Sequence, residues 1–173
     1  EKKGNCAACH PSQRGPDGAP PLFTDFTYDN LGVPRNPDNP FYKLPPELNP
    51  AGERFVDLGL GGALNKRAED GKFKVPTLRN IALTAPYMHN GYFRTLRGSV
   101  VFYNDRDTKP RCASDWVSEA DALKQQCWPA PEVTANVNDE ELGKLGLSDS
   151  EIDDIVAFMH TLTDGWKPAP RRR

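Results

Sequence analysis

The chain has 173 residues, of which 37% are hydrophobic and 27% charged, with a net charge of −2. That length suits one domain, the slight acidic balance argues against a nucleic-acid partner, and no apolar run approaches the ~20 residues of a membrane-spanning helix. Seventeen prolines and fourteen glycines favour loops over sheet, so a mainly α fold with long loops is expected.

The first feature in chain order is Cys6-Ala7-Ala8-Cys9-His10, a C-x-x-C-H unit with the spacing of c-type haem attachment. Two thiols at this spacing each add to one vinyl group of a porphyrin, and the next residue, His10, is held against one face of the iron. A structural zinc site wants a second Cys or His pair at short range. The remaining cysteines, Cys112 and Cys127, sit in no such unit. A redox dithiol wants a βαβ context, and none follows. The sequence therefore predicts one covalent haem c, with the ligand on the far side of the iron left open.

Haem attachment takes place outside the energy-transducing membrane, so an exported, periplasmic bacterial protein is expected. In that compartment Cys112 and Cys127 read as a disulfide; the alternative is two free buried cysteines. An exported chain needs a signal peptide and none stands at residue 1, which reads as a processed or truncated chain. Only five residues precede Cys6, whereas small c-type cytochromes usually carry a helix there; the expectation is a fragment, or half of a larger protein.

Residues 11 to 50 are broken by prolines yet hold Phe23, Phe26, Tyr28, Leu31 and Val33 as apolar anchors, so they read as an ordered wrap over the cofactor's edge. Asn49 and Pro50 read as N-cap and first residue of a short helix through Phe55 and Leu58, ending in the Gly59 to Gly62 region. Turns and one short helix are expected from Lys72 to Tyr87. Thr95 caps a helix through Asn104, on which Leu96, Val100 and Tyr103 share one face. That face carries the apolar residues, so Tyr103 points inward and its hydroxyl needs a partner. Ser114 to Gln126 can hold a short helix. The last helix is the best specified: Ser148 and Glu151 form a capping box, Leu147 and Ile152 a hydrophobic staple, and Ile152, Ile155, Val156, Met159 and Leu162 a stripe, with Gly165 available to close the end. Arg171-Arg172-Arg173 reads as a solvated tail. The expected organisation is a single c-type cytochrome domain over 1–173: a haem-binding part (6–104), a disulfide-closed insertion (105–138) and a C-terminal helical part (139–165).

The blocks Phe73-Lys74-Val75-Pro76-Thr77-Leu78-Arg79-Asn80 and Leu83-Thr84-Ala85-Pro86-Tyr87-Met88-His89-Asn90-Gly91 resemble the bacterial di-haem cytochrome c peroxidases and the related MauG proteins. The resemblance runs from Cys6 to about Leu162 and is to the family's C-terminal haem domain. It implies thioether bonds to Cys6 and Cys9, a proximal ligand at His10, a haem propionate beside Arg79, and His89 between two haems. Carbonyls at Thr84 and Pro86 match positions that help bind Ca²⁺, a further ligand coming from the other domain. Fourteen residues after His89, where peroxidases place a methionine ligand, stands Tyr103, as in MauG-like members. Met88, in a proline-bounded loop, is the rival sixth ligand. Met159 on the apolar stripe reads as packing and His160 as exposed.

Two functions follow, with a third behind them. One is an electron-transfer module that relays electrons through its haem to or from a redox protein. Another is a peroxidase or MauG-like oxidoreductase, active with a second haem domain or subunit, since this chain has one haem motif and no evident acid–base group at an open iron. The last is a haem ligand sensor, which requires both Tyr103 and Met88 to be off the iron.

Overall fold

The computed structural model describes residues 3–165; the tail Arg171-Arg172-Arg173 lies outside the described residues. Helix dominates the regular structure: α1 (Leu60–Leu64), α2 (Leu96–Asp105), α3 (Glu119–Gln125) and α4 (Asp149–His160), joined by long loops with short 3-10 turns. A two-stranded antiparallel ribbon pairs β1 (Tyr28–Asp29) with β2 (Phe73–Lys74), Tyr28 opposite Lys74.

The two longest helices begin where side chains cap them. The Thr95 hydroxyl accepts the Gly98 N–H of α2. In α4 the capping box closes in both directions, Ser148 accepting from the Glu151 N–H and Glu151 from the Ser148 N–H. The two helices pack together. Leu96, Val100 and Val101 of α2 share one apolar core with Ile152 and Met159 of α4. Leu147, Ile155 and Val156 pack against it, so the staple and most of the stripe meet the core. α4 ends at His160, so Gly165, though its backbone is left-handed, does not close the helix.

The stretch 105–138, expected as a disulfide-closed insertion, contributes to the core. Its Ala122 and Trp128 are fully buried, and Trp128 sets its ring edge-on to Phe102, with centroids 5.2 Å apart. The Trp128 indole N–H donates to Asp105 at 2.7 Å, which satisfies the one polar atom of that ring. Glu119, in the first turn of α3, lays its buried carboxylate on the start of α2, accepting from the Arg94 N–H and the Thr95 hydroxyl. A negative group there suits the positive end of the helix dipole. Gly98 makes room for it, because a Cβ at that position would overlap the Glu119 carboxylate. The Cys112–Cys127 disulfide forms across this stretch.

The helix expected after Asn49 is not there. Asn49 is buried and its amide donates to the Phe41 and Gly52 carbonyls, so it ties two turns together instead of capping N–H groups. Only a 3-10 turn, Gly52–Arg54, follows, and Phe55 leaves the helical path to pack on Phe41 at 4.5 Å. The helix starts later, after Gly59. Its φ of +55° demands glycine, and so does the Lys72 carbonyl, which occupies the space a Cβ would need.

Two outcomes follow for stability. Replacing both Cys112 and Cys127 by serine should cost about 3 kcal/mol in urea unfolding, by the chain-entropy scaling for a loop of this size. Glu151 is held below the usual carboxylate range by the Ser148 backbone N–H and then the Lys3 ammonium. Its contribution is therefore full above the unfolded glutamate value of ~4.3 and is lost as pH falls through the lower folded value. Glu151→Gln should flatten that acid limb in a plot of unfolding midpoint against pH.

Candidate functional site

His10 is placed by a turn and fixed by a carbonyl. The 3-10 turn Cys6–Ala8 brings the His10 N–H onto the Cys6 carbonyl at 2.9 Å. The imidazole Nδ1 then meets the Phe23 carbonyl at 2.7 Å. A carbonyl only accepts, so Nδ1 carries the proton and Nε2 keeps its lone pair. Burial lowers the His10 pKa, which favours the neutral ring that metals require. Phe23 presents its carbonyl from a left-handed backbone, φ +54°. Its neighbours are pinned: the Thr24 hydroxyl donates to the Val75 carbonyl at 2.7 Å, and the Asp25 N–H to the Cys9 carbonyl at 3.0 Å.

His10, Cys6 and Cys9 line a cavity of about 1150 Å³, above the usual 300–1,000 Å³ range of small-molecule sites. Apolar side chains dominate its walls: Leu31 and Val33 from the first loop, Val100 from α2, Ile155 and Met159 from α4. Tyr103 lines it too, and its hydroxyl makes no hydrogen bond to any described residue. The Tyr103 pKa is raised by burial first, then by Cys6, Cys9 and Asp29. Beside Cys9 the Asp29 and Glu141 carboxylates converge, both accepting from the Asn138 amide. Burial and those carboxylates, Glu141 foremost, push the Cys9 thiol up to about 11. Cys9, Asp29 and Glu141 make the one cluster of three metal-ligating side chains among the described residues.

The residues present fit a covalently held porphyrin. Two free thiols, a neutral imidazole with an available Nε2, and the Tyr103 phenol share one apolar cavity. Met88 also lines it, from a left-handed backbone in the loop that follows the cis Ala85–Pro86 bond. Met159 is core packing that touches the cavity, and His160 is exposed. Arg79 stands off the wall: its guanidinium pairs with Asp164 at 3.6 Å. Thr84 and Pro86 line the cavity but no acidic group joins them in a metal-ligating cluster among the described residues.

Two groups of residues escaped the sequence. Arg106 is 1% exposed. It grips both oxygens of Asp107, at 2.8 and 2.6 Å, and donates to the Leu31 and Asn138 carbonyls, each at 2.8 Å. It thus locks two wall loops to the end of α2, one turn past Tyr103. Gly143 lets one loop pass, since a Cβ there would collide with the Asp107 carboxylate. The other group surrounds His89, which stacks on Phe73 with centroids 3.6 Å apart and points Nε2 at the buried Glu132 at 3.6 Å. Glu132 also meets Arg35 and the Tyr42 hydroxyl. An Arg–Asp pair at a helix end was the one local signal for Arg106; nothing local marks Glu132.

The fold is that of diheme peroxidases. The chain matches the diheme peroxidase BthA from Burkholderia thailandensis E264 with a TM-score of 0.66 and 31% identity, over 94% of this chain and 39% of that one. It also matches a MauG-like protein associated with microbial copper homeostasis, with a TM-score of 0.61 and 27% identity, over 95% of this chain and 41% of that one. Methylamine utilization protein MauG of Paracoccus denitrificans (strain Pd 1222) is 39% identical over 163 residues, 92% of this chain and 39% of that protein. Cytochrome-c peroxidase IdrP1 of Denitromonas iodatirespirans is 31% identical over 173 residues, 93% of this chain and 37% of that protein. No family model matches. By sequence and by fold the chain belongs with MauG and the bacterial cytochrome-c peroxidases, and it spans about two fifths of the length of these relatives.

Arg106→Gln should cost about 3 kcal/mol in urea unfolding, the lower end for breaking a buried ion pair, because Asp107 keeps some solvent contact.

Proposed function

We propose that the chain is a haem c electron-transfer domain of a MauG- or cytochrome-c-peroxidase-like protein, equivalent to the family's C-terminal haem domain. The observation that carries this reading is His10, its Nδ1 proton given to the Phe23 carbonyl, on the wall of an apolar cavity that it shares with Tyr103. Cys6 and Cys9 form the thioethers. The Nε2 of His10 is the proximal donor, and the Phe23 carbonyl raises its basicity by holding the other proton. Tyr103 would supply the sixth ligand, as a phenolate. When bound, the haem supplies a one-electron iron couple whose potential follows its axial ligands, hydrogen bonds and burial. Leu31, Val33, Val100 and Ile155 exclude water around it. Asp29 and Glu141 place negative charge at the Cys9 edge, which favours the more oxidised state. A redox protein is the donor or acceptor, a second haem domain or subunit the neighbour, and the periplasm the compartment.

One observation favours the second reading, an oxidoreductase completed by that second haem domain. Peroxide chemistry needs an acid–base group, and His89 with Glu132 supplies such a pair on the same cavity wall.

Haem-loaded protein should contain one covalent haem, lost to acid–acetone extraction only when Cys6 and Cys9 are both replaced by alanine. Tyr103→Phe should abolish the phenolate-to-iron charge-transfer band and let the reduced form bind carbon monoxide, while Tyr103→Met should raise the reduction potential. A thioether charge-transfer band in the unaltered protein would move the ligand assignment to Met88. Rapid oxidation of a reduced cytochrome by this chain and hydrogen peroxide alone would defeat the pure relay.

A further inference from the structure

Beyond the large cavity, His89 and Glu132 also line a second one of about 250 Å³, together with Tyr42 and Asp57. Tyr42 is 6% exposed, and its hydroxyl donates to the Glu132 Oε1 at 3.2 Å. Its ring meets Trp116 edge-on, with centroids 5.4 Å apart, and Trp116 is 41% exposed at the surface. The Arg35 guanidinium lies over both rings, at 5.4 and 5.3 Å, and pairs with Glu132 at 3.6 Å. An unbroken line of contacts therefore runs from the large cavity's wall at His89, through Glu132 and Tyr42, to solvent at Trp116.

We propose that Tyr42 and Trp116 form a redox-active pair that carries one electron outward from the cavity wall to the surface, with Glu132 as the proton acceptor for Tyr42. A one-electron oxidant at the surface takes an electron from the Trp116 indole. Tyr42 returns an electron to Trp116, and its hydroxyl proton passes to the Glu132 carboxylate, leaving a neutral tyrosyl radical and a neutral carboxylic acid. A one-electron donor on the cavity side then restores Tyr42, which takes its proton back from Glu132.

Three features support this direction. A phenol oxidised without losing its proton is a very strong acid, so oxidation near neutral pH needs a base in hydrogen-bond reach, and Glu132 is in place. Burial and Glu132 push the Tyr42 pKa up to about 12, so the proton is there to be transferred. The Arg35 cation disfavours a positively charged indole radical but not a neutral tyrosyl radical, so the oxidising equivalent settles on Tyr42. The electron source rests on the haem reading above; the pair itself does not.

The test uses the full chain, with and without haem, oxidised by a photogenerated ruthenium(III) polypyridyl complex and freeze-quenched for electron paramagnetic resonance. A tyrosyl radical is expected that Tyr42→Phe abolishes, that Trp116→Phe lowers at least fivefold, and that Glu132→Gln replaces by an indolyl radical. Circular dichroism identifies variants that have unfolded, and the ring-preserving Tyr42→Phe and Trp116→Phe are the deciding pair. A tyrosyl yield unchanged in either of these would overturn the proposal. If the chain takes up no covalent haem, the haem reading fails while the radical assignment is still read on the haem-free chain. A normal haem spectrum with no Tyr42 radical sinks the relay alone.

Discussion

The hydrogen bond from the His10 imidazole to the Phe23 carbonyl is the constraint on which the site depends. Without it the ring has two tautomers and free rotation about its χ angles; with it, one nitrogen is committed and the other is presented. The bond demands an uncommon backbone. Phe23 is a bulky residue at φ +54°, a conformation that costs on the order of 1 kcal/mol or more. Such strain persists only where the surroundings over-determine it. Here the ring is buried against Phe158 of α4, with centroids 6.0 Å apart, and Thr24 is stitched to Val75. The strand pairing of Tyr28 with Lys74 extends the same stitching, so the small ribbon serves to hold the carbonyl that holds the histidine.

The part of the wall that carries Tyr103 is held by a different device. Tyr103 sits on α2, a rigid element whose start is fixed by Thr95 and Glu119 and whose end is fixed by Arg106. Arg106 acts on backbone carbonyls of two loops, so the wall does not depend on the packing of loop side chains. Gly143 N–H donates to the Tyr103 carbonyl at 2.7 Å, which brings one of those loops directly onto the tyrosine's own backbone. One ligand candidate thus rests on a pinned loop and the other on a helix clamped at both ends.

What the sequence made legible is what local rules govern. C-x-x-C-H is a spacing. Thr95, Ser148 and Glu151 are caps, and caps act within four residues. The inward turn of Tyr103 followed from the 3.6-residue period and Leu96 and Val100, and the structure places it on the cavity wall. Asn49 misled because asparagine serves a helix start and a pair of turn carbonyls equally well, and only the fold of Phe41 and Gly52 chooses. The role of the Phe23 carbonyl, the loop contacts of Arg106 and the partners of Glu132 were invisible for one reason: they lie outside any local window. Glu132 meets Tyr42 across 90 positions and Arg106 meets Leu31 across 75. No window-based pattern reports such contacts.

The placing of charge explains why a phenol suits this cavity. Arg106 is paired with Asp107, and Glu132 with Arg35, so neither of these pairs brings an uncompensated charge to the wall, whereas Asp29 and Glu141 place negative charge at the Cys9 edge. A ferric porphyrin carries net positive charge at its iron, and an apolar site opposes burying it. A thioether ligand adds no charge and leaves that opposition in place. A phenolate would offset that positive charge, while the unbound phenol, its pKa raised by burial, remains neutral and adds no buried charge. On the haem reading proposed above, Tyr103 would supply an anion only when a cation is present to meet it, so without one the cavity carries no phenolate charge.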